Sequence, residues 1–190
     1  MKIRKISILV VLAILTISNL QAQKVKWHTF SEAIELNKKA PRKIIIDVYT
    51  DWCGWCKKMD AGTFNNPVIA KILNEKYYAV KFDAERTDDI VFQGHTFKNS
   101  GEGRRPVHDL AAAMLNGKMS YPSIVFMNEQ NQLITAVPGY QEPNQIEPLL
   151  IYIQQSLYEK NVNYQEYAKK YLANETNKPK VSGSEEQKLP

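Results

Sequence analysis

Two cysteines are the whole cysteine complement of this 190-residue chain, and they stand three apart in Trp52-Cys53-Gly54-Trp55-Cys56-Lys57. The run ahead of them, Lys43 to Thr50, is short, apolar and β-branched, the pattern of a buried strand. The run behind them, Cys56 to Asp60, has the composition of opening helical turns. The pair therefore falls where a strand hands over to a helix. Whatever the rest of the chain builds, it has to frame that junction.

A helix N-terminus presents unpaired backbone N–H groups and the positive end of the macrodipole. A thiolate held there is stabilised, and its pKa drops below the value of about 8.5 of a free cysteine. This assigns Cys53 as the attacking sulfur, open to solvent and receiving N–H groups from Trp55 and Cys56. Cys56, one turn behind and deeper, is the resolving sulfur. Gly54 leaves space for a partner's backbone beside Cys53. Two other uses of the pair weigh less. Zinc needs further ligands, and His28, His95 and His108 are scattered without ligand spacing. A purely structural disulfide would close a very small loop and constrain the unfolded chain least.

The formal charge of +5 owes three positive charges to Lys2, Arg4 and Lys5. Without them 22 basic residues face 20 acidic ones, a net of +2, and no nucleic-acid motif accompanies them. Residues 1–22 carry those charges followed by an apolar run from Ile6 to Leu20, the pattern of a signal peptide. As a helix that run spans about 22 Å, short of a hydrocarbon core of about 30 Å. Ala22 suits a cleavage site, whereas Leu20 is larger than the residue wanted two positions earlier, so an uncleaved anchor is the alternative. Export, to a periplasmic or extracellular setting, places the cysteines in an oxidising compartment, where keeping them reduced takes an external electron supply.

Thr29-Phe30-Ser31-Glu32 is a capping box that opens a helix to about Lys39, with His28 ahead of it read as a surface residue. Asp47 is out of place within its apolar strand; burial there raises its pKa and suits it to hold or release a proton near neutrality. Its alternative is an outward position on an edge strand. Asn66 caps a second helix with Pro67 at its first position, and Val68, Ile69, Ile72 and Leu73 form its buried stripe. Tyr77 to Asp83 is the next strand, on which Lys81 either pairs with Asp47 or snorkels to the surface.

Residues 86–118 are the least readable. Ile90 to Phe97 alternates around Gly94 as a small hairpin, and Arg104 and Arg105 read as a solvated basic loop rather than as a means of steering an acidic partner. His108, exposed or structural, precedes a helix that Gly117 ends. Tyr121-Pro122 leads into the apolar strand Ile124 to Met127. A turn and the strand Leu133 to Val137 complete an antiparallel hairpin, with Gly139 as its exit. A helix from Glu142 to Lys160 turns Leu149, Leu150, Ile153 and Leu157 inward, and Tyr164 to Leu172 adds a shorter one. Residues 174–190 are polar and expected to be a disordered tail.

This order of elements is that of a three-layer α/β sandwich. From about Trp27 to Leu157 the chain resembles the thioredoxin superfamily. Trp52-Cys53-Gly54-Trp55-Cys56-Lys57 is similar to that family's W-C-G-P-C-K, Asp47 to its buried acid, and Lys81 with Asp83 to its lysine strand. Tyr121-Pro122-Ser123 is similar to its cis-proline segment, and Gly139 to the glycine after its hairpin. The resemblance implies a central mixed sheet with helices on both faces, with one domain over residues 23–173 and residues 86–118 as an insert. It further implies thiol–disulfide exchange without a cofactor or metal. Asp47, tuned by Lys81, would take the proton of Cys56. Trp52, Gly54, Trp55, Tyr121 and Pro122 would meet the substrate, the last pair through a free backbone edge, with Trp52 the more packed of the two tryptophans. Partners would be protein disulfides and an upstream electron donor such as a membrane thiol transporter. Reduction is the expected direction. Oxidase or isomerase activity, or a binding module with a permanent disulfide, are the alternatives. Trp55 in place of the proline leaves the potential open.

Overall fold

A computed structural model describes residues 24–176. The leader-like residues 1–22 lie outside it, as does the tail expected over residues 174–190 apart from its first three residues.

The sheet grows from the β-branched runs. Strand β1 (Trp27–His28) is followed by α1 (Phe30–Lys39), β2 (Ile44–Tyr49) and α2 (Gly54–Met59). A π-helical segment, Asp60–Phe64, prolongs α2 and leads to α3 (Pro67–Lys76) and β3 (Tyr78–Asp83). The sequence gives no hint of this wider turn. Residues 86–118 contribute β4 (Ile90–Phe92), β5 (His95–Phe97) and α4 (Asp109–Met114). The chain closes with β6 (Ser123–Met127), β7 (Leu133–Pro138), α5 (Pro143–Gln154) and α6 (Tyr164–Thr176).

Strand order is β1-β3-β2-β6-β7, with β1, β3 and β2 parallel and β6 and β7 each antiparallel to its neighbour. Being central, β2 is buried on both faces. Ile45, Ala79, Ile124 and Phe126 pack on one side against Met59, Phe64, Ile69, Leu73, Ile146 and Leu150. Ile44, Ile46, Val48, Val80, Phe82 and Val125 pack on the other against Phe30, Ala33, Leu110, Ala111 and Met114. Alternation along β2 gives Asp47 the same face as Ile45, beneath the helices that follow the cysteines.

Local chemistry sets the boundaries. Thr29 and Glu32 close the capping box of α1. The Asn66 side chain accepts the Val68 and Ile69 N–H groups at the start of α3, with Pro67 at its first position. Gln93 and Gly94 both have positive φ, 51° and 77°, the tight hairpin turn that joins β4 to β5.

Several expectations need correcting. Val68 is exposed, and Ala70 takes its place in the buried stripe with Ile69 and Leu73, because α3 is rotated so that its second residue faces water. His28 is half-buried, since β1 pairs with β3 and sets its ring edge-on to Tyr78. The last large helix stops at Gln154, and Ser156 lies at φ 50°, so Leu157 packs from a turn rather than a helix. The final helix runs through Thr176, three residues into the expected tail. His108 takes the structural option. It is fully buried, its Nδ1 accepts the Leu110 N–H, and its Nε2 lies 3.1 Å from the Asp88 carbonyl. Among the described residues no helix is long and apolar enough to cross a membrane.

Candidate active site

The two cysteines occupy the junction of β2 and α2. Cys53 is the N-cap of α2 and Cys56 lies in its first turn; they are joined as a disulfide with their Cα atoms 5.3 Å apart. The Cys53 Sγ accepts the Cys56 N–H at 3.0 Å. That is one donor rather than the two expected: the Trp55 N–H makes no hydrogen bond to the sulfur. In the disulfide form Cys53 is only 5% exposed and Cys56 2%. The open sulfur expected at Cys53 is therefore nearly covered while it is bonded to Cys56. A Cβ built on Gly54 meets nothing, so open space lies directly over the next residue.

Beneath the disulfide helix, Asp47 is completely buried on β2 and faces Lys81 across the parallel register of β3. The Lys81 ammonium donates to Asp47 Oδ2 at 2.6 Å and also to Asp60. Asp47 Oδ1 has no hydrogen-bond partner. Burial is the main influence on Asp47 and outweighs the pull of Lys81, so its pKa is pushed up from 3.8 to about 6. Burial draws Lys81 the other way, but Asp47 and Asp60 overcome it and its pKa ends above the ordinary lysine value. Three rings enclose the ammonium: Tyr49 at 4.9 Å, Trp27 at 5.1 Å and Phe64 at 5.6 Å. A cavity of about 450 Å³ opens onto Lys81 and Asp60 and is lined also by Lys24, Val25, Trp27 and Lys57. Of the two options for Lys81, pairing and reaching the surface, the side chain takes both.

Around the cysteines the surface is aromatic. Trp55 is 57% exposed and stacks at a tilt on Tyr140, ring centroids 5.4 Å apart. Trp52 is 49% exposed, not packed away as expected, because it rests edge-on against Tyr121 and its Nε1–H donates to Glu85 at 2.8 Å. The Tyr121–Pro122 peptide bond is cis. The Pro122 carbonyl accepts the Gly139 N–H at 2.8 Å, so the free edge expected of Tyr121 and Pro122 shrinks to Tyr121. The N–H and C=O of Tyr121 make no backbone hydrogen bond within the described residues. Gly139 holds this exit at φ 90°.

The role of Asp60 escaped the sequence reading, as did the place of Arg105, which was read only as part of a basic loop. Asp60 had a usable signal, since it lies four residues after Cys56 and so on the same helical face. Arg105 had none. The insert folds back because the Asn99 amide donates to the Arg86 and Pro106 carbonyls and the His108 N–H donates to the Ala84 carbonyl. This brings the Arg105 guanidinium 4.3 Å above the Trp52 ring. The basic loop is therefore not merely solvated; it reaches the tryptophan that precedes Cys53. Among the described residues no cluster of histidine, cysteine, aspartate or glutamate could hold a metal ion.

Residues 16–178 match the model of the Thioredox_DsbH family, described as "Protein of unknown function, DUF255". The chain is 30% identical over 86 residues to "Uncharacterized protein B0495.5" of Caenorhabditis elegans, a match over 44% of this chain and 12% of that protein. It is 32% identical over 69 residues to chloroplastic thioredoxin Y of Oryza sativa, over 35% of this chain and 38% of that one. The matches thus span well under half the length of these curated relatives. A solved thioredoxin-fold protein from Helicobacter pylori superposes with a TM-score of 0.54 at 15% identity, over 72% of this chain and 86% of that one.

Proposed function

Since this chain belongs to the Thioredox_DsbH family and has a thioredoxin-like oxidoreductase fold with its C-x-x-C pair at disulfide distance, we propose that it is an exported reductase of protein disulfides. The observation that carries this reading is the pairing of a sulfur capped by a helix N–H with a buried acid on the strand that feeds the same helix. The leader pattern of residues 1–22 supports export.

In the proposed cycle the reduced protein attacks through the Cys53 thiolate. It bonds to one sulfur of the partner's disulfide, and the other partner sulfur leaves as a thiolate and takes up a proton. Asp47 then takes the proton of the Cys56 thiol on its unpartnered side, directly or through water. The Cys56 thiolate attacks Cys53, and the partner's second sulfur leaves reduced. Two electrons have passed from the dithiol to the partner, and the Cys53–Cys56 bond is restored. Lys81 steadies the charge that Asp47 carries between proton transfers. An upstream donor, such as a membrane thiol transporter, returns the electrons.

Trp52, Trp55, Gly54 and Tyr121 form the surface on which the partner rests, with the free Tyr121 backbone available to an extended segment. Cys56→Ser tests the proposal. It should accumulate mixed disulfides between Cys53 and exported proteins, whereas the double replacement of both cysteines should not. Failure to trap any protein while Cys53 reacts with a small disulfide would overturn the substrate claim. A reduction potential well above about −200 mV would move the reading to oxidase or isomerase.

A further inference from the structure

Each tryptophan beside the disulfide carries a cation on its face. The Arg105 guanidinium lies 4.3 Å from the Trp52 ring centre. The Lys58 ammonium lies 4.7 Å from that of Trp55 and 5.0 Å from that of Tyr140. Neither cation has a carboxylate within ion-pair distance among the described residues. Two other cations of residues 86–118 are paired, Arg86 with Asp88 at 2.6 Å and Lys98 with Asp89 at 3.1 Å, while Arg104 and Lys118 have no ion pair among the described residues and no ring beneath them. Three acids stand close by. Glu85 accepts from the Nε1 edge of Trp52, Asp83 accepts the Glu85 N–H, and Asp51 is exposed. Glu85 thus engages the edge of the indole, while Arg105 covers its face.

Stacking on a ring fixes the plane of a guanidinium but leaves its edge N–H groups free to donate. A carboxylate arriving from outside can then take two of them at once. Lys58, capping the adjoining rings of Trp55 and Tyr140, offers a second positive point, on the tryptophan that follows Gly54. We propose that Trp52 with Arg105 and Trp55 with Lys58 form two anion-accepting stations that bracket Cys53. The preferred substrate is then a polypeptide whose disulfide cysteine is flanked by acidic residues. This rests on the reading that Cys53 attacks protein disulfides. Along an extended segment held by the Tyr121 backbone alternate side chains share a face, so acids two residues from the cysteine stand on its side of the strand.

The test uses the full chain as Cys56→Ser, in reduced form. The probes are peptides whose single cysteine is activated as a 2-thiopyridyl disulfide, with Glu, Gln or Lys two residues to either side. The Cys53 thiolate attacks the peptide sulfur, the bond to the thiopyridine breaks, and pyridine-2-thione appears as the absorbing product. Each rate is divided by that of dithiothreitol with the same peptide, which removes the peptide's own reactivity. The Glu peptide should exceed the Gln peptide about fivefold at low salt, with the Lys peptide slowest and the spread shrinking as salt rises. Arg105→Gln and Lys58→Gln should each shrink the Glu/Gln ratio, the pair should bring it to about one, and Arg105→Glu should invert the order. If the ratio is the same in every variant while the peptides react, the stations do not exist and the reductase reading stands. If Arg105→Gln only loosens amide exchange over residues 100–107 and leaves the ratio alone, Arg105 is a tether and the inference fails. If no peptide reacts, the proposed function falls and the inference with it.

Discussion

Asp47→Asn replaces a buried carboxyl with an amide of nearly the same size, whose oxygen can still accept from Lys81. What disappears is the charge. Burial has displaced the Asp47 pKa from 3.8 to about 6, and each tenfold in acidity is worth about 1.4 kcal/mol. At pH 7 the folded protein therefore carries a cost of about 3 kcal/mol for keeping Asp47 ionised, which the asparagine does not incur. The folded state binds the proton more tightly than the unfolded one, so wild-type stability falls as pH rises from about 3.8 to about 6 and then levels off. The variant should thus be more stable by about 3 kcal/mol above pH 6, a rise in Tm of roughly 6–12 °C, with the advantage gone near pH 3.5. Urea unfolding of the oxidised proteins at pH 3.5 and 7.5 measures it. An advantage of the same size at both pH values would refute the reasoning, as would a variant less stable than wild type at pH 7.5. In the proposed cycle the same substitution should slow resolution of the mixed disulfide, followed by single-turnover kinetics.

Lys81→Met removes the cation that holds Asp47 down, so the pH profile of the resolution step should move to higher pH; an unmoved profile would separate Lys81 from Asp47. His108→Ala takes away the cap of α4 and its contact with the Asp88 carbonyl, and should cost about 1–2 kcal/mol in chemical unfolding. Gly139→Ala forces a side chain into φ 90° and should destabilise by about 1–2 kcal/mol, which thermal unfolding will register.

The sheet and its helices were legible because their signals are local: β-branched runs, the Thr29 capping box, and Asn66 ahead of Pro67. Asp47 stood out for the same reason, as one carboxylate in a run of isoleucines. The residues that escaped depend on contacts distant in sequence. Nothing near Arg105 says that Asn99 folds the insert back onto Trp52. Nothing near Pro122 says that its carbonyl is taken by Gly139, and only assembled strands show it. The π-helical segment has no periodic mark of its own; Asp60 at its start carries the mark of its spacing from Cys56, but its partner Lys81 arrives from β3.

The ammonium of Lys81 sits within a ring of aromatic walls, one of them Trp27 from a strand only two residues long. Lys24 and Val25, immediately upstream, border the cavity that leads to it. The opening by which Lys81, the partner of the buried acid, meets water is therefore framed by the first described residues of the chain. A tag fused directly ahead of Lys24 would stand on that threshold, and its charge would be sensed by the acid long before it touched a substrate.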